Sequence, residues 1–468
     1  VPTPRGIIYG RQNQPLVRNV PIYQLCLDEE KIPCQTVTRE QAITLEASGQ
    51  TEGLRTNIGR EYPFGPALAH VLGYLGEANE EEVKSSLWQL GDLLGRTGIE
   101  EQYNAILAGK NGGELVEVNA QGEKIRQIGE IAPEPGKDVR LSLDAELSQV
   151  AYEALDGRPG AVVVSEVKTG KILTLVSLPS FDPEKITAKD LTDPARPMFN
   201  RAIAGAYPPG STFKIVTTAA GIEDGKIDKN TLFEDTGQIV VGDYTYRNWY
   251  FTQYGKTEGK IDVIGAIKRS TDTFFYKVGE WVGPEKLTIW AQKFGLGKKT
   301  GLDISGEALG LVPDPGGRRW FLGNTYHLAI GQGDLLATPL QINMMTSVIA
   351  NGGRLCRPAI SDQLSATSNC QDLELKAETL RLVREGMKEA CSPGGTAFPF
   401  FDFTPAVACK TGTAEFGDPQ NRTHAWLTAF APADDPEIVV TVLVEAGGEG
   451  SSVAAPIARK VLEEWFKE

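Results

Sequence analysis

Ser211 and Lys214, three residues apart, carry the strongest chemical signal in this chain of 468 residues. They stand in Tyr207-Pro-Pro-Gly-Ser-Thr-Phe-Lys214, ahead of an apolar-periodic run of Ile215, Val216, Ala219, Ala220 and Ile222. The prolines and glycine end whatever precedes Ser211. The run predicts a buried helix with Ser211 and Lys214 in its first turn. Residues three apart on a helix share a face. A serine hydroxyl is a weak nucleophile until a neighbour takes its proton. A neutral lysine amine one turn away can do so, and burial or a second nearby cation favours that neutral form.

Such a pair arises by chance roughly once in a chain of this length, and Ser165-Glu-Val-Lys168 is a second instance. That segment, AVVVSEVKTGKILTLVS, reads as two apolar strands around a Lys-Thr-Gly turn. On a strand, positions i and i+3 face opposite ways, so Ser165 and Lys168 read as hairpin residues. Lys-Thr-Gly occurs at 168–170, 299–301 and 410–412. The second copy closes KFGLGKKTG, which lacks the first glycine and the Ser or Thr of a phosphate loop. Only Lys410-Thr411-Gly412 reads as part of a strand with apolar flanks, TPAVACKTGTAEF. A strand there can take an extended peptide as an added strand. Gly412 permits close approach, Lys410 offers charge to a carboxylate, and Thr413 adds a hydroxyl. Ser270 and Asp272 precede a helical run, where both residue types are favoured caps, so capping is the ordinary reading.

The elements that must position these groups are mixed. Asp144 is a good N-cap for a helix over AELSQVAYEAL, and two strands follow across 160–178. GDYTYRNWYFTQYGK (242–256) reads as an aromatic-rich loop. GDLLATPLQINMMTSVIANGG reads as a buried helix and AETLRLVREGMKEA as an amphipathic one. NRTHAWLTAFAP and PEIVVTVLVEAG form a predicted hairpin, and VAAPIARKVLEEWF a closing helix. Helices around antiparallel hairpins indicate an α+β fold. APEPGKD (132–138) is a candidate boundary, giving an N-terminal pedestal at 1–138 and a second domain at 139–468. The pedestal reads as charged, helical-looking sequence to about Arg60, an apolar stretch near Leu68–Tyr74, a helix near 99–108 and then strands. No tight polar constellation is expected there.

Bulk properties exclude several classes. With 47 basic against 61 acidic residues the net charge is −14, which argues against a nucleic-acid partner. No window reaches 18 uncharged apolar residues, so no membrane span is expected within the chain. The three histidines show neither H-E-x-x-H nor triad spacing. Of the six cysteines, Cys26/Cys34 and Cys356/Cys370 have the spacing of local disulfides in an oxidising compartment, with free thiols equally open; Cys391 and Cys409 are left unassigned.

Taken in order, Ser211-x-x-Lys214, Ser270-x-Asp272 and Lys410-Thr-Gly412 resemble the penicillin-binding serine acyltransferases. GQGDLLATPLQ, KTGLDISGE and HAWLTAFAPADDP look like the same family. RGII (5–8), YPFGPALAHVLGY (62–74) and GRTGIEEQY (95–103) resemble the pedestal of the class B, elongation-type subgroup, so the resemblance spans essentially the whole chain. It implies a transpeptidase domain of antiparallel sheet flanked by helices. Ser211 is then the nucleophile and Lys214 its base, with Ser270 as proton relay held by Asp272. Lys410, Thr411, Gly412 and Thr413 form the substrate strand, and the N–H groups of Ser211 and Thr413 the oxyanion hole. The implied partners are D-Ala-D-Ala stem peptides, β-lactams, a SEDS-family glycosyltransferase and rod-shape elongation proteins. The implied location is the bacterial envelope, on the extracytoplasmic side of the inner membrane, with an anchoring helix upstream of Val1. A D,D-carboxypeptidase or β-lactamase, and a penicillin sensor or silent scaffold, are the alternatives. Two departures matter. Asp272 stands where most of the superfamily has Asn. Asn248 and Thr271 stand at two positions where some relatives ligate zinc, so no metal and no cofactor are expected.

Overall fold

Five apolar segments pair into one antiparallel sheet: β1 (Gly160–Glu166), β2 (Ile172–Leu178), β3 (Ala408–Glu415), β4 (Thr423–Ala431) and β5 (Ile438–Val444). The order is β2-β1-β5-β4-β3, which leaves β3 at the edge. The computed structural model describes residues 3–26, 34–84, 88–89, 91–121, 124–362 and 370–467. Contacts divide the chain into two compact units, Val1–Leu141 with Asp182–Ile186, and Ser142–Phe181 with Thr187–Glu468. The short strand Val139–Arg140 pairs with Ile8–Tyr9 in the first unit, although the sequence reading began the second domain at 139.

In the second unit the helices of seven or more residues are α1 (Ala145–Leu155), α2 (Lys214–Glu223), α3 (Val263–Arg269), α4 (Asp272–Val282), α5 (Pro284–Lys293), α6 (Leu322–Ala329), α7 (Pro339–Ala350), α8 (Ala377–Ala390) and α9 (Ala455–Trp465). Asp144 caps α1, its carboxylate accepting from Leu147 N at 3.1 Å. Alternation along the strands sets two faces. One packs Val162, Val164, Leu427, Val440 and Val442 against Leu147, Ala151, Ile457 and Val461 of α1 and α9. The other meets α7 through polar contacts: Asn343 Nδ2 donates to Val163 O and Val439 O, both at 3.1 Å, and Thr428 Oγ1 bonds Thr346 Oγ1 at 2.7 Å. Ser165 of the second Ser-x-x-Lys lies on β1 and donates to Asn343 Oδ1 at 2.5 Å. It is a buried sheet residue, as its strand pattern predicts.

The first unit departs from its sequence reading twice. Residues 54–61 form a strand, paired along its length with Pro15–Leu25, and only Arg39–Ala47 of the charged stretch is helical. A tight polar constellation is also present. Glu100, with no exposure, takes Arg5 Nε at 2.6 Å and Arg60 Nε at 2.9 Å. A buried carboxylate needs such partners. The two arginines come from segments 55 residues apart, which local pattern does not reveal.

Candidate active site

Three segments remote in sequence close on one point. The turn Gly210–Phe213 leads directly into α2, whose residues from Lys214 to Ile222 are all buried. The turn is held from several sides. Trp426 Nε1 donates to Pro208 O at 3.0 Å, and Tyr207 exchanges backbone bonds with Ala337 at 3.0 and 2.8 Å. The Tyr207 hydroxyl donates to Glu445 at 2.6 Å, beside Arg201. Gly210 has φ +54°, and a Cβ there would lie 3.0 Å from Thr413 O. Glycine therefore lets the half-buried Ser211 stand against β3. Gly412 serves the same approach from the other side, 3.2 Å from Pro209 O and from Thr212 Cγ2 by the same measure.

Lys214 and Lys410 are both fully buried. Lys214 Nζ donates to Asp272 Oδ1 at 2.6 Å, Ser270 O at 2.8 Å and Ser270 Oγ at 3.1 Å. Lys410 Nζ donates to the same Ser270 Oγ at 2.8 Å and to Thr411 O at 3.0 Å. Burial pushes the Lys214 amine below its usual range, and Asp272 only partly restores it. Lys410 is pushed down further by burial and by the charge of Lys214. The arrangement is two amines, one carboxylate and one hydroxyl in a buried pocket, and burial shifts both amines toward the neutral form.

Ser270 is not a helix-start cap. It ends α3 in the left-handed conformation, φ 55°, and Thr271 then opens α4. A non-glycine residue there is uncommon, and such backbone is held only where the surroundings over-determine it. The Asp272 carboxylate does not cap α4 either; besides Lys214 it accepts from Trp249 N at 3.3 Å. The aromatic segment is a hairpin strand, Tyr244–Arg247, and a short helix, Trp249–Tyr254, instead of a loop. Thr411 Oγ1 bonds Thr396 Oγ1 at 2.9 Å, and Thr413 is exposed toward solvent. Neither remaining histidine of this unit is placed as a base. Burial holds His327 below its usual range and pushes His424 down to about 4.

Asp235 is a part of the site that sequence reading missed. At 1% exposure it accepts from Thr273 Oγ1 at 2.7 Å, Glu258 N at 2.8 Å, Gly237 N at 2.9 Å and Asn248 Nδ2 at 3.1 Å. Its oxygens are thereby occupied. Asn248 and Thr271 supply no anionic ligand, so this donor set does not fit a zinc ion. Among the described residues no group of three His, Cys, Asp or Glu side chains is placed to hold a metal. All six cysteines are paired, as Cys26–Cys34, Cys356–Cys370 and Cys391–Cys409. The third pair, joining the end of α8 to the residue before Lys410, was not read from sequence.

Residues 160–463 match the model of the penicillin-binding protein transpeptidase domain, and residues 32–141 that of the penicillin-binding protein dimerisation domain. The first match alone spans more than half the chain. The chain belongs to the class B penicillin-binding proteins, in the elongation-type branch. The peptidoglycan D,D-transpeptidase MrdA of Escherichia coli K12 is 32% identical to this class B protein, over 98% of this chain and 86% of its own. The fold is similar to that in a complex between PBP2 and MreC from Helicobacter pylori, with TM-score 0.84, 29% identity and coverage of 100% and 98% of the two chains. It is similar as well to a chain of a peptidoglycan synthase complex that coordinates polymerization and crosslinking, with TM-score 0.86, 31% identity and coverage of 100% and 91%.

Proposed function

We propose that this class B penicillin-binding protein crosslinks peptidoglycan stem peptides during cell-wall elongation through an acyl-enzyme on Ser211. The observation that carries the reading is Ser270 Oγ, bonded at once to two fully buried lysines, one of which directly follows the turn carrying Ser211.

In this reading Ser211 Oγ attacks the carbonyl of the penultimate D-Ala while Lys214 takes its proton. The N–H groups of Ser211 and Thr413 receive the oxyanion, a contribution of about 3 kcal/mol in comparable sites. The C–N bond to the terminal D-Ala then breaks. Ser270 passes a proton to the departing amine, drawing on the lysines at its hydroxyl. Lys410 and Thr413 hold the terminal carboxylate, Thr411 fixes the strand, and Gly412 lets the turn approach. The amine of a neighbouring stem peptide attacks the ester, gives up a proton and leaves Ser211 free. A β-lactam enters the same first step and stays as a stable ester.

We assign catalysis to residues 139–468 and a pedestal role to 1–138. The pedestal is the proposed docking platform for a SEDS-family polymerase and rod-shape proteins. The similar chains in a PBP2–MreC complex and in a peptidoglycan synthase complex support that assignment. Three disulfides fit an oxidising compartment. Among the described residues no helix is long and apolar enough to cross a membrane. We place the chain in the cell envelope, facing the periplasm.

The test is intact-protein mass after mixing with benzylpenicillin. One stable adduct on the unmutated chain, lost in Ser211→Ala, is expected. No adduct would favour a silent scaffold, and an adduct that clears within seconds would favour a hydrolase.

A further inference from the structure

A cavity of about 500 Å³ lies between the chain after α1, the end of β5 and the start of α9. Its volume is in the range that small-molecule sites occupy. Ala154, Val444, Val453, Pro456 and Ile457 give it an apolar side. Pro456, Ile457 and Lys460 are three and four apart on α9, so they share one face. Lys460 ends that stripe with an exposed ammonium and, among the described residues, has no hydrogen-bond or ion-pair partner. Arg158 lines the same cavity from the chain after α1. Its guanidinium reaches Asp156 only at 3.6 Å, longer than a hydrogen bond. Two cations from different walls, over an apolar side, suit an anion carried on a short hydrocarbon body.

The third charged wall residue is Glu445. Its carboxylate is already engaged, by the Tyr207 hydroxyl at 2.6 Å and by Arg201 Nε at 3.1 Å. The next wall residue, Ala446, holds left-handed backbone at φ 49°, and its N–H donates to His424 Nδ1 at 3.1 Å. The His424 ring in turn meets the Tyr207 ring edge-on at 5.3 Å between centroids. Two successive wall residues therefore bear on Tyr207, which opens the Pro-Pro-Gly turn into Ser211. None of Ser211, Lys214, Ser270, Asp272 and Lys410 lines the cavity.

We propose that this cavity binds a soluble organic anion, a phosphate or carboxylate on a short apolar body, and that its occupancy alters acylation at Ser211 through Glu445 and Tyr207. The coupling rests on Ser211 as nucleophile; the binding does not. The experiment is calorimetric titration of the full chain with hexyl phosphate, inorganic phosphate and hexanol, followed by benzylpenicillin acylation rates with and without saturating hexyl phosphate. Hexyl phosphate is expected to bind at least about tenfold more tightly than either of the other two. Arg158→Ala and Lys460→Ala are each expected to weaken it at least about threefold, with unchanged acylation in its absence. Occupancy is expected to change the acylation rate of the unmutated chain at least about twofold, and Tyr207→Phe to keep the binding but lose that response. Equal affinity for the three probes, affinity that survives both substitutions, or binding to phosphatidylglycerol vesicles without binding to hexyl phosphate would overturn the site. Binding with no effect on the rate, or an effect that persists in Tyr207→Phe, would overturn the coupling. Failure of the unmutated chain to acylate at all would instead overturn the reading of Ser211.

Discussion

Lys214 Nζ and Asp272 Oδ1 lie 2.6 Å apart, one fully buried and the other with 15% of its side chain exposed. Most of the superfamily carries a neutral amide at the second position, so this chain holds an extra negative charge against its proposed base. The consequence is a pH effect. Burial lowers the Lys214 pKa and Asp272 opposes that lowering. Asp272→Asn removes the opposition, so neutral Lys214 becomes available at lower pH. The acid limb of the penicillin acylation rate is expected to move down by about 1 to 3 pH units. Acylation rates measured across pH for both proteins check this. A limb that stays in place, or moves up, would show that Lys214 is not the group being titrated.

Gly210 tests the approach of the Ser211 turn to β3. Its backbone is left-handed at φ +54°, and an added Cβ would press on Thr413 O at 3.0 Å and Ala414 Cβ at 3.1 Å. Gly210→Ala is expected to cost about 1 to 2 kcal/mol of stability from the backbone alone. It is also expected to slow acylation at least tenfold by forcing the turn off the strand, about 1.4 kcal/mol in the barrier. Gly225 is the control. Its φ is +65°, and nothing lies within 4 Å of its Cβ position. Gly225→Ala should show the stability cost with normal acylation.

The placement of Ser211, Lys214 and Lys410 was legible because it is local in sequence. Pro-Pro-Gly-Ser ends one segment and starts a helix, and Lys410-Thr-Gly lies in an apolar strand. Both patterns carry their geometry with them. The sheet strands from 160 to 178 and from 408 to 444 were legible for the same reason. What failed was set by distant partners. Residues 54–61 pair with Pro15–Leu25, and that pairing, not their charge, makes them a strand. Ser270 and Asp272 look like caps because those residue types usually are. Two lysines arriving from positions 214 and 410 give them different work. Cys391 and Cys409, 18 residues apart, gave no spacing cue, because one ends a helix and the other lies on a strand.

That third disulfide joins Cys391 at the end of α8 to Cys409, next to Lys410 on the edge strand. Both residues are nearly inaccessible, at 5% and 0% exposure. Closing a loop of this length restricts the unfolded chain by about 3 kcal/mol. The double variant Cys391→Ala, Cys409→Ala is expected to lose about that much in denaturant unfolding, and more than either outer pair would lose in acylation rate. The reason is position: β3 is an edge strand with only β4 beside it, so the α8 tether is one of its few lateral restraints. Unfolding and acylation measured together check the claim. A stability loss with an unchanged acylation rate would show that the tether does not position Lys410.

Asp235 is expected to govern the other side of the site. Its carboxylate gathers Asn248 of the aromatic segment, Gly237 and Glu258 from either side of that segment, and Thr273 from the first turn of α4, the same turn that carries Asp272. Asp235→Ala leaves those four donors without an acceptor in a buried site. The expected cost is at least about 1 to 3 kcal/mol, the penalty for leaving a buried donor unsatisfied. Asp235→Asn is the sharper variant. It keeps the shape but turns one acceptor into a donor facing donors, so one or two of the four bonds must break. If Asp235 only stabilises the fold, both variants will lower the melting temperature and leave the acylation rate of the surviving folded protein unchanged. If it sets the Trp249–Asp272 contact, Asp235→Asn will slow acylation at temperatures well below its unfolding transition. The second outcome is expected, because Trp249 N reaches Asp272 directly from the segment that Asp235 holds.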